Sequence, residues 1–253
     1  MADSNGPRDM TWSIVARNRD GELGVAVASR FFAVGALCPY ARARVGVVAT
    51  QALVNPGYGP AALDLLASGL QPARTIEAVI AADPGRDARQ LHLVDAQGRA
   101  AAYTGSQCIE WCGHRDGDGF SVAGNMLAGA GVLDACADAY GEHAHLDFAE
   151  RLIVAMQAGE AAGGDKRGKQ AAALRIVATE AYPVLDLRVD DHWDPLAELR
   201  RLYERSFERF QPFVRCLPTG ADPAGITDRA AIEQAIERFH TARAACATAG
   251  AKR

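Results

Sequence analysis

Alternation of apolar and polar residues marks the first half of the chain, and helical spacing marks its last quarter. Thr11-Trp12-Ser13-Ile14-Val15-Ala16 predicts a strand, Asn18-Arg19-Asp20-Gly21 a turn, and residues 23–29 the returning strand of a hairpin. In that return strand Leu23, Val25 and Val27 alternate with Gly24, Ala26 and Ala28. One face is bulky and the other nearly bare, so a neighbour must pack close against the bare face. Residues 45–52 predict a further strand. After Asn55-Pro56-Gly57 the spacing becomes helical over about 58–68, and Pro72 opens a helix that turns Ile76, Val79 and Ile80 inward. Residues 90–95 and 100–104 predict a second hairpin across Ala96-Gln97-Gly98. A short strand at 121–123 leads into Gly124-Asn125. Two helices follow, over about 132–140 and 147–157. The second carries Phe148, Leu152, Ile153 and Met156 on one stripe, with Asp147 as its N-cap. Residues 172–178 and 184–189 predict a third hairpin. Hairpins in place of crossovers predict antiparallel sheets with helices outside them, a layered α+β domain.

The tail has a different character. Asp194-Pro195 starts a helix on which Leu196, Leu199, Leu202, Tyr203, Phe207 and Phe210 recur at helical spacing. A loop with Pro218, Gly220 and Pro223 leads to a last helix over about 228–245. The expected organisation is a polar leader (1–10), a layered domain (11–190) and a helical appendage (191–253). The aromatic helix offers more apolar surface than one helix hides, which predicts a homodimer.

Composition narrows the function classes. The chain has 253 residues, 49% hydrophobic and 23% charged, which excludes a disordered tail or a coiled-coil rod. A formal net charge of -4 gives no overall attraction to nucleic acid or anionic lipid. No apolar run reaches the ~18 residues of a membrane span, and the first ten residues hold no apolar signal segment. Cys38, Cys108, Cys112, Cys136, Cys216 and Cys246 are scattered, which favours reduced thiols and a cytoplasmic setting. Cys108, Cys112 and His114 lie close together, but a zinc site wants a second such pair and none follows, so no metal is expected.

The expected partner is a small-molecule substrate, and four features offer chemistry for it. Thr11 opens the first strand. A Thr hydroxyl is a poor nucleophile unless a base sits beside it. As a chain's own first residue it has one, because its α-amine titrates at roughly 7.7–8. Cleavage after Met10, or a start at Met10 followed by its removal, would expose that amine. The plain alternative is a Thr that packs at the start of a strand. Arg30 ends the near-bare strand and could lie near Thr11, stabilising negative charge. Gln51, Asn55 and Tyr58 gather hydrogen-bonding groups at a strand-to-helix junction. Gly124-Asn125 could aim amide donors at an oxyanion, although such pairs also make ordinary turns. The loop 159–170 mixes glycines with Asp165, Lys166, Arg167 and Gln170, and could form a nest for an anion, with Lys166 or Arg167 pairing a carboxylate. It is not a Walker loop. No dinucleotide glycine signature, zincin helix or hydrolase elbow occurs, and no histidine spacing suggests a triad.

Taken together, Met10-Thr-Trp-Ser-Ile-Val-Ala16, Gly24-Val-Ala-Val-Ala-Ser-Arg-Phe-Phe-Ala-Val-Gly35, Val48-Ala-Thr-Gln51 with Asn55-Pro-Gly-Tyr-Gly-Pro60, Gly124-Asn125 and the loop 159–170 resemble a family of unknown function, number 1028. The similarity spans about residues 10–190. That family is described as resembling the N-terminal-nucleophile hydrolases. The resemblance implies a four-layer α-β-β-α sandwich whose nucleophile opens the first strand between two antiparallel sheets. It implies Thr11 as nucleophile and Arg30, Asn125, Asp165 and Lys166 as site residues. The implied activity is cofactor-free hydrolysis of a small amide or modified amino acid, with an anionic substrate favoured by the nearby cations. Two departures stand out. Nine residues precede Met10, and Ala171 stands where Ser commonly follows the loop's Gln. The rival expectation is a non-catalytic, metabolite-binding or structural member of the same fold.

Overall fold

In the computed structural model, which describes residues 11–164 and 168–250, the strands form two antiparallel sheets. The strands are β1 (Thr11–Arg17), β2 (Leu23–Ser29), β3 (Pro39–Arg42), β4 (Gly46–Ala52), β5 (Arg89–Asp95), β6 (Ala100–Thr104), β7 (Trp111–Gly117), β8 (Phe120–Leu127), β9 (Ala171–Val177) and β10 (Leu185–Val189). The helices are α1 (Tyr58–Ala67), α2 (Pro72–Ala81), α3 (Gly131–Glu142), α4 (Phe148–Ala161), α5 (Pro195–Ser206), α6 (Phe210–Val214) and α7 (Arg229–Gly250). One sheet has the order β10-β9-β2-β1-β8-β7 and the other β3-β4-β5-β6. β1 and β2 touch β4, and β8 touches β5 and β6, so the sheets meet face to face. α3 and α4 lie against strands of the first sheet, α1 and α2 against the second.

The bare face of β2 has the predicted close neighbour. A Cβ on Gly24 would stand 2.8 Å from both Leu152 Cδ1 and Phe148 Cε1, so α4 packs where no side chain projects. The bulky face, Leu23, Val25 and Val27, joins Val15, Val47, Ala49 and Val94 between the sheets. Burial of these branched side chains contributes roughly 1.5–3 kcal/mol each.

The structure departs from the periodicity in five places. β3 and β7, both at sheet edges, carry too little alternation to read. β3 has four residues, and β7 exposes His114, Arg115 and Asp116. β8 runs to Leu127 instead of ending at 123, since Gly124 and Asn125 continue the pairing with β1. Asp147 occupies the N-cap position of α4 without a side-chain capping bond. The predicted single helix through Phe210 breaks after Ser206. Pro212 cannot donate within a continuing helix, and the Ser206 hydroxyl donates to the Tyr203 carbonyl at 2.5 Å.

The chain divides into two compact units, one up to Arg200 and one from Arg201. In the second, Tyr203 meets Phe207 edge-on with ring centroids 4.9 Å apart, and Phe207 stacks on Phe239 at 6.4 Å. The Arg243 guanidinium lies 3.3 Å from the Phe207 ring centre. Among the described residues no helix is long and apolar enough to cross a membrane.

Candidate active site

β1 turns Trp12 and Ile14 away from the second sheet and Thr11, Ser13 and Val15 toward it. The strands around Thr11 and Ser13 send polar side chains into the same layer: Ser29 from β2, Gln51 from β4, Gln90 and His92 from β5, Ser121 and Asn125 from β8. All are buried. Buried polar groups persist only when paired, and these are.

Proton positions in this network follow from two backbone carbonyls. Gln90 Nε2 lies 2.9 Å from Gly113 O and from Gly124 O, and 2.9 Å from Thr104 Oγ1. A carbonyl only accepts, so the amide nitrogen faces them and Gln90 Oε1 faces inward. That oxygen accepts from Gln51 Nε2 at 2.7 Å and Asn125 Nδ2 at 3.2 Å. Gln51 therefore presents Oε1 to Ser13, whose hydroxyl donates to it at 2.7 Å. Ser13 has spent its proton, so at 2.8 Å it accepts from His92 Nε2–H. His92 Nδ1 is left as acceptor for the Ser121 hydroxyl at 3.1 Å. The imidazole is neutral: burial, reinforced by His114, pushes its pKa down to about 3. One tautomer and one direction of donation run through five side chains from four strands.

Thr11 lies beside this network, across from Asn125. It pairs with Ser29 on one side and Asn125 on the other. Thr11 Oγ1 and Ser29 Oγ are 3.0 Å apart, and Ser29 Oγ also accepts the Phe31 N–H at 3.0 Å. Thr11, Thr50, Gln51 and Arg89 form the polar wall of a cavity of about 270 Å³ whose remaining wall is apolar. At its edge Cys38 is buried, and burial pushes its thiol up to about 12, far from a thiolate. Two non-glycine residues in left-handed backbone follow site residues directly. Ala52, after Gln51, has φ +66°, and Met126, after Asn125, has φ +58°. Such positions cost of order 1 kcal/mol each and cluster at functional sites.

The other sequence candidates separate. Arg30 follows Ser29 and is half-buried, while the cavity wall passes from Thr11 to Phe31 without it. Asn55 and Tyr58 turn to Asp83: Tyr58 OH donates to Asp83 Oδ2 at 2.7 Å and Asn55 Nδ2 at 3.1 Å. Those bonds, with the Gly85 N–H and Arg89, hold the Asp83 carboxyl below the usual carboxylate range. Burial, with Asp83 beside it, raises the Tyr58 hydroxyl. Arg89 Nε reaches Asp83 Oδ2 at 3.3 Å and its NH1 donates to Leu53 O, so Asn55 and Tyr58 brace the cavity wall from behind. Gln170 fixes Ser29 through its backbone N–H, 2.9 Å from Ser29 O, and turns its side chain to Asp191 at 3.0 Å. Asp165, Lys166 and Arg167 lie outside the described residues. Their neighbour Lys169 pairs with Glu160 and, at 2.7 Å, with Asp194. Among the described residues no three His, Cys, Asp or Glu side chains group as metal ligands, Cys108 and Cys112 included.

The sequence reading missed Ser13, Ser29, Arg89, Gln90 and His92. A signal existed for two of them. Gln90 and His92 stand two apart, interleaved with Leu91 and Leu93, which puts both on one face.

The family model described as "Family of unknown function (DUF1028)" matches residues 11–199. Among solved structures, protein SPO2555 from Silicibacter pomeroyi, of the same family model, is 31% identical. The similarity covers 87% of this chain and 96% of that one, with a TM-score of 0.81. Anbu (ancestral beta-subunit) from Yersinia bercovieri is far more distant, at 12% identity over 77% of this chain and 94% of that one. Its TM-score of 0.33 is too low to carry an argument. No curated protein matches the chain significantly. With its match starting at Thr11 and covering well over half of the chain, the protein belongs to the family of unknown function DUF1028.

Proposed function

We propose that the protein is an amidohydrolase of the N-terminal-nucleophile type, built as a four-layer α-β-β-α sandwich, with Thr11 as nucleophile. The observation that carries this reading is the Thr11 hydroxyl in the wall of a 270 Å³ cavity between two sheets, at the residue where the family match begins. When Thr11 is the first residue, its α-amine takes the hydroxyl proton as Oγ1 attacks the amide carbonyl carbon. The Ser29 hydroxyl steadies Oγ1. The oxyanion is held by backbone N–H groups and Asn125, whose Nδ2 keeps one N–H on Gln90 and carries a second. Collapse of the tetrahedral intermediate breaks the C–N bond, and the ammonium returns its proton to the leaving amine. Water, deprotonated by the same amine, then hydrolyses the acyl-Thr11 ester. Gln51 and Arg89 contact the substrate. Arg30, Asp165, Lys166 and Arg167 steady the amine or the substrate, and Gln170 keeps Ser29 in place. No step calls for a metal or an organic cofactor.

The test compares three forms on a panel of small amides: the full chain, a chain freed to begin at Thr11, and that shorter chain with Thr11→Ala. Turnover confined to the second form is expected. Equal turnover by all three would sink the reading. A second reading, a non-catalytic metabolite binder, holds for as long as Met10 stays joined to Thr11, because a peptide nitrogen is not a base. Intact mass of the purified protein separates the two. A homodimer is supported by Phe210 and Phe213, both exposed on α6, and light scattering at twice the chain mass is the expected result.

A further inference from the structure

The cavity beside Thr11 is bounded by two short segments that carry bulky apolar side chains. Phe31, Val34 and Leu37 come from the stretch after β2, and Leu53 and Val54 from the stretch after β4. Val34 is 5% exposed and forms part of the floor, while Leu53 is 67% exposed and Phe31 39%. Phe32, next in the chain, is 59% exposed. Large apolar side chains left in water around a concave site are a standing cost, removed when a ligand covers them.

The polar wall decides what else the ligand carries. Arg89 is the one charged residue of the lining among the described residues, and its charge is already answered. Asp83 accepts from Arg89 Nε at 3.3 Å, and Arg89 NH1 is committed to the Leu53 carbonyl. Asp83 is fixed in turn by Tyr58, Asn55 and the Gly85 N–H at 2.7 Å. The wall is a braced, neutral ion pair. The other polar groups, Thr11, Thr50 and Gln51, are uncharged. A volume of about 270 Å³ holds a small fragment, at the low end of the range for ligand sites.

We infer that this cavity binds the apolar acyl portion of a neutral amide, with the chain or ring against Phe31, Val34 and Leu53 and the amide carbonyl toward Thr11. The inference rests on the amidohydrolase reading for the direction of the amide, but the apolar specificity belongs to the cavity itself. The acyl portion is uncharged because, among the described residues, the one charged group of the lining, Arg89, is paired.

Binding is measured apart from turnover, by ligand-observed NMR titration of the full chain. The probes are acetamide, butanamide, hexanamide and phenylacetamide, with adipamic acid as the carboxylate-bearing counterpart of hexanamide. Affinity should rise about fourfold per added methylene until the cavity is full. The carboxylate should weaken binding by at least about tenfold. Leu53→Asp, at an exposed position whose backbone carbonyl is retained, should keep the fold and weaken hexanamide by about tenfold. Val34→Trp, which fills the floor, should abolish binding. A flat series, or tightest binding by adipamic acid, would overturn the inference. Failure of the two readings is distinguishable. A rising series with no hydrolysis by the chain that begins at Thr11 removes the amidohydrolase and leaves the apolar site. Hydrolysis with no dependence on acyl length removes the apolar site and leaves the amidohydrolase.

Discussion

β4 and β5 each bury two faces, and the two faces differ. Toward α1 and α2 they send Val48, Leu91 and Leu93, which meet Tyr58, Ala62, Leu63, Leu66, Ile76 and Val79 in an apolar layer. Toward the first sheet the same strands send Gln51, Gln90 and His92, which join Ser13, Ser121 and Asn125 by hydrogen bonds. The first layer holds the fold by burial, which is tolerant of geometry and additive over area. The second adds to its own apolar packing, which includes Val47, Ala49 and Val94, a donor–acceptor matching that fails as a unit when one partner is wrong. Only the second lies beside Thr11, so the directional layer borders the residue proposed as nucleophile.

Substitutions on one strand can break this contrast. Leu91→Ala should cost about 2–5 kcal/mol in chemical denaturation and leave amide binding at the cavity unchanged in the folded fraction. Gln90→Leu keeps the volume but leaves the carbonyls of Gly113 and Gly124 and the donors of Gln51 and Asn125 without their partner. It should cost at least about 3 kcal/mol and also weaken hexanamide binding. If Gln90→Leu proved neutral, the polar layer would be ordinary packing.

The next effect is one of pH. His92 titrates far lower in the folded chain than its ordinary 6.5, so the unfolded chain binds more protons between about 3 and 6.5. Stability should therefore be level above 6.5 and fall as pH drops below it, by up to about 1.4 kcal/mol per unit. His92→Gln should flatten that part of the profile in thermal melts, while an unchanged slope would mean that His92 is not held neutral. The smallest effect concerns the left-handed residue beside Gln51. Ala52→Gly relieves its backbone and should stabilise the fold by about 1 kcal/mol. A loss of stability there would show that the φ of +66° carries no strain.

The apolar layers were legible because alternation is local. Leu23, Val25 and Val27 against Gly24, Ala26 and Ala28 announce both a core face and a helix pressed close behind it, and Phe148 and Leu152 arrive there. β3 and β7 were not legible, since β3 has only four residues and β7 exposes three in a row, His114, Arg115 and Asp116, where alternation would hide one. The site was half legible. Thr11 and Asn125 emerge from resemblance, and their pairing across β1 and β8 brings them side by side. The hydrogen bonds from Ser13 to Gln51 and to His92 span 38 and 79 residues, distances at which no local pattern operates. Asn55 and Tyr58 were read as ligand contacts from their junction. The structure gives them to Asp83, a residue with no mark in the sequence.

The central claim is that Thr11 becomes a nucleophile when its own amine is free. The most direct measurement is intact and peptide mass after exposure of the chain beginning at Thr11 to a neutral, apolar activated ester, quenched at low pH to trap the acyl-enzyme. The account predicts one acyl group, on Thr11, absent from the full chain and from Thr11→Ala. An acyl group on another residue, or equal labelling of the full chain, would contradict it.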